Sequence, residues 1–227
     1  MNLTHRLNRW FKPRFAIIYP FGILVGIFGH TSETSMRTGM GYVIAGLLIR
    51  LWSNGYAIKN DRLTTSGPYA FVRNPLYLGT FLICIGFCFV LNMGWAGLAF
   101  IVALALVYYK TIGSEQGMLI EKFGEAYKSY TAKVPAMIPT LNPYPQGEKW
   151  PFSLKRLIDS KEHKPLFWVI ILIIAFHLKT HILIEHKSMT PKSYFLIGFA
   201  AVLILLDVMY ELNKKKIHAI VPTKLNT

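Results

Sequence analysis

Apolar runs alternate with short polar segments along almost the whole chain. There are six such runs, and they cover Phe15–Gly29, Gly39–Trp52, Leu76–Leu91, Trp95–Ile112, Leu166–Leu178 and Tyr194–Tyr210. Several are slightly shorter than the roughly 17–25 residues of a membrane-spanning helix, so we expect flanking Tyr, Trp and Lys side chains to extend them. The pattern predicts an all-α, polytopic membrane protein with about six transmembrane helices.

The composition agrees with this interpretation. Of the 227 residues, 53% are apolar and only 16% are charged, which is far from the usual balance of a soluble domain. The formal net charge is +14, but no basic face on a soluble domain is visible, so we expect no nucleic-acid partner. Topology and attraction to anionic membrane lipids explain the charge better.

The positions of Lys and Arg predict the orientation of the chain. Most of the 25 basic residues lie before the first run, after the second, between the fourth and fifth, and after the sixth. Those before the first run are Arg6, Arg9, Lys12 and Arg14, and Arg50 lies inside the second run near its inner end. Since cytoplasmic loops carry the excess of positive charge, we expect a multi-pass protein of the cell (inner) membrane. Both termini and residues 113–164 would then be cytoplasmic.

A very short connection, Asn92-Met93-Gly94, joins the third and fourth runs. It carries no charge and predicts a tight helical hairpin whose turn lies at the outer surface. Both open ends of the hairpin then face the cytoplasm. Cys84 and Cys88 are four residues apart on the third run, so they share one helix face at a spacing that does not suit a disulfide. We interpret them as packing residues.

The two cytoplasmic ends of this hairpin carry the most unusual sequence. The entry holds "SGPYAFVRNPLYLG" at residues 66–79, and the exit holds Glu115-Gln116 and then "EKFGEAYKSYTAKVPAMIP" at residues 121–139. The ordered set is Gly-Pro-Tyr, Arg-x-Pro-x-Tyr-x-Gly, the hairpin, the Glu115-Gln116 pair, Phe-Gly-Glu-x-Tyr-x-x-Tyr and Val-Pro-x-x-x-Pro. In this order, over roughly residues 40–140, the motifs resemble the isoprenylcysteine carboxyl methyltransferase and phospholipid methyltransferase superfamily.

The resemblance implies an integral membrane enzyme that transfers a methyl group from S-adenosylmethionine to a lipophilic acceptor. The implied cofactor-binding residues are Leu63, Tyr69, Arg73, Asn74, Pro75, Tyr77, Glu115 and Gln116, and the implied acceptor-binding residues are Lys110 and Thr111. Arg73 and Glu115 are the expected catalytic residues. No metal is expected.

The side chains at these positions suit the chemical groups of that cofactor. Arg73 offers a planar cationic fork for its carboxylate, and Glu115 offers a carboxylate for its ammonium group. Tyr69 and Tyr77 offer aromatic faces for the sulfonium and the adenine. Taken singly, Arg73 also fits a positive-inside anchor and the tyrosines fit an interfacial belt. Their order and their placement on one side of the membrane favour the cofactor interpretation.

Aromatic residues follow the exit of the hairpin at a helical spacing. Phe123, Tyr127 and Tyr130 predict a cytoplasmic amphipathic helix that packs its aromatic face against the lipid boundary. We expect these side chains to have a packing role first and a lid role second.

The chain departs from the family pattern at three places. Asn74 and Gln116 stand where many relatives have His and a second Glu; Asn74 can hydrogen-bond but cannot titrate near neutral pH as His would. Thr111, beside Lys110, stands where the carboxyl methyltransferases have an arginine that handles the acceptor. The acceptor therefore stays open among lipids, isoprenoids and prenylcysteine-like molecules. We expect it to enter from the inner leaflet.

The sequence divides into three parts. Residues 1–147 are expected to form a membrane methyltransferase core, residues 148–165 a basic amphipathic linker, and residues 166–227 two additional transmembrane helices with a basic tail. The oligomeric state is not indicated by any pattern.

Polar residues in the last two apolar runs need a separate interpretation. His177, His181 and Glu185 share one helix face, but they lie at the outer end of the fifth run, where interfacial contacts are commoner than metal sites. Asp207 lies near the inner end of the sixth run, so we expect it to snorkel or to pair with a lysine of residues 214–216.

Two other classes of function remain open from the sequence. A membrane reductase of the related steroid-reductase type would use NADPH on a similar helical frame; binding of S-adenosylhomocysteine rather than NADPH separates the two. A non-catalytic lipid-binding or transport protein fits the two additional spans and the altered Asn74 and Gln116. However, the sequence shows no inverted repeat and no pair of broken helices of the kind that transporters carry.

Overall fold

The computed structural model describes residues 13–58 and 62–220, with the side chains of residues 13–18, 163 and 213–220 outside the description. Within those ranges the regular structure is helical and contains no strand. The predicted all-α class is therefore confirmed. The predicted cytoplasmic residues Arg6, Arg9 and Lys12, and the side chains of residues 214–216, lie outside the described residues.

Seven α-helices occur in the described ranges. They are α1 (Pro13–Phe28), α2 (Glu33–Tyr56), α3 (Pro75–Val90), α4 (Gly94–Lys133), α5 (Leu154–Asp159), α6 (His163–Lys179) and α7 (Pro191–Ile220). A 3₁₀ turn, Gly67–Ala70, lies between α2 and α3, and a π turn, Thr180–Ile184, extends α6.

Capping residues explain where several helices begin. The Ser32 hydroxyl accepts a hydrogen bond from the Ser35 backbone N–H at 3.1 Å, and the Ser35 hydroxyl accepts one from the Ser32 N–H at 2.8 Å. This reciprocal pair satisfies backbone groups that the first turn of α2 leaves without helical partners. Helix α3 begins at Pro75, where proline fits because its missing N–H has no helical acceptor in the first turn.

Within residues 13–58 and 62–220, three helices are long and apolar enough to cross a membrane, by length and composition. They are Gly94–Lys133, Lys164–Ile184 and Pro191–Leu212, and two shorter apolar helices cover Tyr19–Phe28 and Pro75–Val90. These helices fit a multi-pass membrane protein. The count of six spans stays a prediction, because α2 has 24 residues but includes Glu33, Arg37 and Arg50 among its polar positions.

The chain forms two compact units, Met1–Glu162 and His163–Thr227. The boundary falls inside the expected linker of residues 148–165. The three-part division made from the sequence stays a prediction, since the compact units do not separate a linker from the core.

Helices α2 and α3 lie in direct backbone contact. Gly39 and Gly46 on α2 face Gly86 and Gly79 on α3: an added Cβ at Gly39 would lie 2.5 Å from the Gly86 carbonyl oxygen, and one at Gly46 would lie 2.5 Å from that of Gly79. Small residues permit such close helix packing in membranes. Gly79 and Gly86 therefore serve the packing of α3 against α2.

The predicted hairpin between α3 and α4 is present. Its connection, residues 91–93, is short because Asn92 and Gly94 take positive φ values of 52° and 48°, a backbone region that Asn and Gly tolerate best. The Met93 N–H donates to the Cys88 carbonyl at 3.0 Å. Cys88 packs against Gly97 on α4, and both cysteines are unbridged, in agreement with the expected packing role.

The second unit contains α6 and α7, which are joined by a charged contact. Lys164 Nζ lies 2.7 Å from Glu211 Oε1 and 3.7 Å from Asp207 Oδ1. Asp207 thus contacts a lysine on α6, while the expected partners at residues 214–216 have side chains outside the description. This contact lets two acidic groups occupy an apolar helix pair, since a paired charge costs less to bury than an isolated one.

Two histidines of the second unit, His177 and His181, stack at the end of α6. The rings of His177 and His181 lie 6.4 Å apart, and His181 Nδ1 lies 3.7 Å from Glu185 Oε2. Glu185 also pairs with Lys187 at 3.0 Å. Among the described residues, no group of three His, Cys, Asp or Glu side chains has the arrangement of a metal site.

Replacing Gly46 with Ala is expected to destabilise the first unit. The added Cβ would lie 2.5 Å from a backbone oxygen of Gly79, so α2 and α3 must separate, at a cost of about 1–3 kcal/mol of unfolding free energy. Gly41→Ala is the matched control on α2, because, apart from the backbone of its own helix turn, no described atom lies within 4 Å of its added Cβ. Thermal unfolding in detergent compares the two variants. Equal midpoints would contradict the close contact.

Candidate functional site

The candidate site lies where the segment after α2 turns into α3. Gly67 begins the 3₁₀ turn with a φ of +59° and packs against the Tyr56 ring, a combination that excludes a side chain. Pro68 and Pro75 fix φ at the starts of the turn and of α3. The intervening residues, including Arg73, therefore have a restricted backbone.

A segment that follows α4 braces this turn through backbone hydrogen bonds. The Arg73 N–H donates to the Pro135 carbonyl at 2.9 Å, and the Asn74 N–H and Nδ2 donate to the Ala136 carbonyl at 3.2 and 3.0 Å. Farther along, the Tyr144 N–H donates to the Ala70 carbonyl at 2.9 Å. The Val-Pro-x-x-x-Pro motif thus holds Arg73 and Asn74 in place, a role that the sequence did not indicate.

Helix α4 bends back toward the turn at Gly124. This residue has φ 56° and ψ −130°, a conformation that is essentially restricted to glycine. After the bend, Tyr127 and Tyr130 are 4% and 2% exposed, and the Tyr130 hydroxyl donates to the Tyr69 carbonyl at 2.6 Å. The two tyrosines have a packing role, but the expected lipid partner is wrong: they are buried in a cluster with Ala70, Val134 and Tyr144.

Three cavities of the first unit share Arg73 in their walls. The central cavity has a volume of about 570 Å³ and is lined by Arg50, Tyr69, Arg73, Asn74, Pro75, Leu76, Tyr77, Thr80, Tyr108 and Glu115. The aromatic cavity, about 260 Å³, is lined by Ile58, Arg62, Leu63, Thr64, Tyr69, Arg73, Asn74, Leu119, Lys122, Phe123, Tyr127 and Tyr130. The apolar cavity, about 560 Å³, is lined by Arg73, Phe81, Ala105, Tyr108, Tyr109, Lys110, Ile112, Gly113, Gln116, Ala136 and Met137.

The guanidinium of Arg73 has two nitrogen atoms in an unusual environment. Its Nε and Nη1 atoms are buried and have no hydrogen-bond partner among the residues that the structure describes. Leaving a buried charged donor without an acceptor costs more than leaving a neutral one. A carboxylate or another anion bound in the cavity would remove that cost, and the planar fork of arginine suits a carboxylate.

Glu115 supplies a negative group to the same cavity. Its Oε1 atom accepts a hydrogen bond from the Tyr77 hydroxyl at 2.7 Å, and the Tyr77 ring packs against Tyr108 with centroids 4.9 Å apart. Tyr77 was expected to offer its ring face to a ligand. In the structure its hydroxyl donates to Glu115 and Tyr77 still lines the central cavity, so the expected role of its ring stays a prediction.

Sequence reasoning missed a second arginine in the central cavity. Arg50 Nε and Nη2 donate to the two carboxylate oxygens of Glu162 at 2.9 and 2.7 Å, and Nη1 donates to Thr80 Oγ1 at 2.5 Å and to the Leu76 carbonyl at 3.3 Å. An arginine inside an apolar run was the available signal, because intramembrane charges commonly mark functional sites. Its partner is 112 residues away in sequence, and no pattern connected the two.

The environment keeps the hydroxyl of Tyr69 neutral. Burial raises the pKa of Tyr69 above its ordinary value, and the Glu162 carboxylate raises it further, against a smaller opposing effect of Arg50. Tyr69 therefore offers the cavity an aromatic ring and a protonated hydroxyl rather than a charge.

The structure brings most of the predicted site residues together. Tyr69, Arg73, Asn74, Pro75, Tyr77 and Glu115 line the central cavity, Leu63 lines the aromatic cavity, and Lys110 and Gln116 line the apolar cavity. Thr111 lines none of the three; its hydroxyl donates to the Val107 carbonyl one turn earlier on α4 at 2.8 Å. The expectation that Thr111 contacts an acceptor stays a prediction.

The amino-acid sequence was compared with known protein families, and the matched range contains the residues of this site. Residues 21–126 match the model of the phospholipid methyltransferase family, a range that includes both Arg73 and Glu115. The predicted resemblance to the superfamily is confirmed by this match and by curated relatives that are named methyltransferases.

Three relatives show how far the similarity extends. The chain is 29% identical over 155 residues to the cobalt-zinc-cadmium resistance protein CzcN of Cupriavidus metallidurans, which covers 64% of this chain and 69% of that protein. It is 35% identical over 83 residues to the protein-S-isoprenylcysteine O-methyltransferase of Schizosaccharomyces pombe, covering 37% of this chain and 35% of that protein. Against the Homo sapiens protein of the same name it is 29% identical over 114 residues, covering 45% of this chain and 40% of that protein. The similarity thus spans less than half of either methyltransferase.

Proposed function

We propose, starting from the match of residues 21–126 to the phospholipid methyltransferase family, that the chain is an integral membrane methyltransferase. It transfers a methyl group from S-adenosylmethionine to a lipophilic acceptor. The observation that carries the proposal is the presence of opposite charges in one cavity wall: Arg73, whose Nε and Nη1 atoms are buried without a hydrogen-bond partner among the described residues, and the Glu115 carboxylate both line the central cavity.

The residues of the central cavity fit the amino-acid end of S-adenosylmethionine. Arg73 Nε and Nη1 would bind its carboxylate, and Glu115 would bind its ammonium group. Asn74 donates its amide N–H to Ala136, which leaves its carbonyl oxygen as an acceptor for a ligand N–H or O–H. Tyr69 and Tyr108 supply aromatic faces to the same cavity, and such faces attract cations.

The chemistry that the cofactor supplies is a methyl transfer in which the methyl–sulfur bond breaks, the sulfur keeps the electron pair, and an acceptor lone pair forms the new bond to carbon. The chain's own contribution is to hold the two reactants in line and to exclude water. Glu115 is engaged by Tyr77 and by the proposed ammonium contact. The acceptor therefore needs to arrive as a nucleophile, as a carboxylate does, or to lose its proton to another base.

The apolar cavity is the proposed acceptor site. It shares Arg73 and Tyr108 with the central cavity, so an acceptor head group there would lie beside the cofactor. Phe81, Ile112 and Met137 provide apolar walls for a hydrocarbon tail. The proposed acceptor is a lipid, isoprenoid or prenylcysteine-like molecule with a polar head and a long tail, and it enters sideways from the inner leaflet.

The proposed location is the cell (inner) membrane, with both termini and residues 113–164 in the cytoplasm. The asymmetric distribution of Lys and Arg supports this orientation. Methyl transfer would then occur at the inner surface, where a water-soluble cofactor and a membrane-bound acceptor can both arrive.

Cysteine labelling tests this orientation. In a background with Cys84 and Cys88 replaced by Ala, a cysteine at the exposed position Ser129 is expected to react with an impermeant maleimide only after cells are opened. A cysteine at the exposed position Thr34, in the first turn of α2, is expected to react in intact cells, because this end of α2 is predicted to lie at the outer surface. Labelling of the Ser129 position in intact cells would contradict the proposed orientation.

The cofactor site is tested by charge removal. Arg73→Ala and Glu115→Gln should each weaken S-adenosylhomocysteine binding by tens-fold or more, because losing one partner of a desolvated charge pair costs about 2–5 kcal/mol. Arg73→Lys keeps the charge but loses the fork, so an intermediate affinity is expected. Isothermal titration calorimetry on detergent-purified protein gives the affinities.

Two exposed residues provide controls for that experiment. Glu121→Gln changes a carboxylate on the same helix as Glu115, and Arg37→Gln changes an exposed arginine on α2. Both should bind S-adenosylhomocysteine as the unmodified chain does. Unchanged affinity in folded Arg73→Ala and Glu115→Gln variants would remove these residues from the site.

The acceptor site is tested by shortening the acceptor. With saturating S-adenosylmethionine and native lipid extract, labelled methyl groups identify an acceptor class, and analogues with the same head group and shorter tails are then compared. Each buried methylene contributes about 0.8 kcal/mol, so kcat/KM should fall by roughly fourfold per methylene removed. Equal kcat/KM for a short, water-soluble analogue would rule out lateral entry from the bilayer.

A further inference from the structure

The two arginines of the central cavity differ in their hydrogen-bond partners. Arg73 presents buried donors, Nε and Nη1, that find no acceptor within residues 13–58 and 62–220. Arg50 gives Nε and Nη2 to both carboxylate oxygens of Glu162 and gives Nη1 to Thr80 and to the Leu76 carbonyl. One guanidinium is therefore available to a ligand, and the other is committed to the protein.

Glu162 compensates Arg50 from behind the cavity wall. Arg50 lines the central cavity, whereas Glu162 is not among its lining residues, and their side chains are 17% and 10% exposed. The contact is bidentate, the geometry in which arginine and a carboxylate interact most strongly. The field of Glu162 also reaches the wall of the cavity, since it contributes to the raised pKa of Tyr69.

The charges around the cavity balance only when Glu162 is counted. The wall itself carries two positive groups, Arg50 and Arg73, and one negative group, Glu115. With Glu162 the sum is zero, which matches a zwitterionic amino acid. In S-adenosylmethionine, moreover, only two methylene groups separate the sulfonium from the α-carbon. A ligand whose amino-acid end contacts Arg73 and Glu115 therefore places a permanent positive charge inside the same cavity.

We propose that Glu162 is a specificity-determining residue, an inference that rests on the proposed function. By neutralising Arg50, Glu162 allows the central cavity to hold the positive sulfonium of S-adenosylmethionine. An uncompensated guanidinium in a poorly solvated wall would repel the sulfonium. It would not repel the neutral thioether of S-adenosylhomocysteine, which differs from the donor by one methyl group and one charge. Glu162 is a positioning residue, because it acts through Arg50.

A purely structural role for the ion pair makes a different prediction. Arg50 also contacts Thr80 and the Leu76 carbonyl near the start of α3, so loss of Glu162 could loosen the wall. Loosening would weaken the binding of the donor and of the thioether product together. The electrostatic role instead changes the ratio of the two affinities, and it does so in opposite directions for loss of Glu162 and loss of Arg50.

The experiment measures dissociation constants for S-adenosylmethionine and S-adenosylhomocysteine on the full chain, purified in detergent without acceptor, at low salt. Four proteins are compared: the unmodified chain, Glu162→Gln, Arg50→Gln and the double variant. Relative to S-adenosylhomocysteine, Glu162→Gln should lower donor affinity about tenfold, and Arg50→Gln should raise it by a similar factor. The double variant should return to within about threefold of the unmodified ratio.

A control pair lies on the same helix as Arg50. Glu33 and Arg37 form an exposed ion pair on α2, with side chains 81% and 79% exposed, and replacing both with Gln should leave the ratio unchanged. If Glu162→Gln does not yield folded protein, the ratio in Arg50→Gln and its return in the double variant decide the matter.

The outcomes separate this inference from the function on which it rests. If the unmodified chain binds neither ligand, both the proposed function and the inference about Glu162 are wrong. If the unmodified chain binds both ligands and the ratio stays within about twofold in both single variants, the role of Glu162 is overturned while the methyltransferase proposal stands.

Discussion

The close contact of α2 with α3 is the constraint on which the rest of the first unit depends. Because Gly39 and Gly46 touch the backbone of Gly86 and Gly79, the two helices lie nearer than side chains would allow. This proximity brings Arg50, one turn beyond Gly46, within reach of Thr80 and the Leu76 carbonyl. Packing in a membrane gains little from the hydrophobic effect, so backbone proximity and buried polar contacts of this kind carry much of the specificity.

A second constraint positions the groups that would meet a ligand. The backbone N–H groups of Arg73 and Asn74 are fixed by the carbonyls of Pro135 and Ala136, which leaves the Arg73 side chain to extend into the cavities. Gly124 turns α4 so that Tyr130 reaches the Tyr69 carbonyl. Both contacts join segments about 60 residues apart in sequence. The site is thus held by backbone groups, and its side chains remain available for chemistry.

The sequence was informative where the signal is local and ordered. The hairpin turn at Asn92 and the all-α class follow from patterns within short segments, and the structure agrees with both. The convergence of Arg73 with Glu115 in one cavity wall followed from the predicted hairpin together with the family resemblance. The sequence was uninformative where a role depends on a distant partner. Arg50 and Glu162 are 112 residues apart. The hydrogen bond from Tyr77 to Glu115 depends on how α3 and α4 are aligned in the hairpin, which the sequence did not indicate. Thr111 was placed at the site by family position, and in the structure its hydroxyl donates to the Val107 carbonyl of the same helix.

The position of Glu162 also determines how short a fragment of this protein can be without leaving a buried charge unpaired. The family match ends at residue 126, yet the counter-ion of a guanidinium in the cavity wall comes from residue 162, the last residue of the first compact unit. A fragment cut at the edge of the recognisable motif would retain the ligand-facing residues and strand a buried cation, at a cost of about 3–5 kcal/mol. The end of the family match at residue 126 is therefore not the end of the physical unit. That unit extends to residue 162, where the buried cation receives its counter-ion.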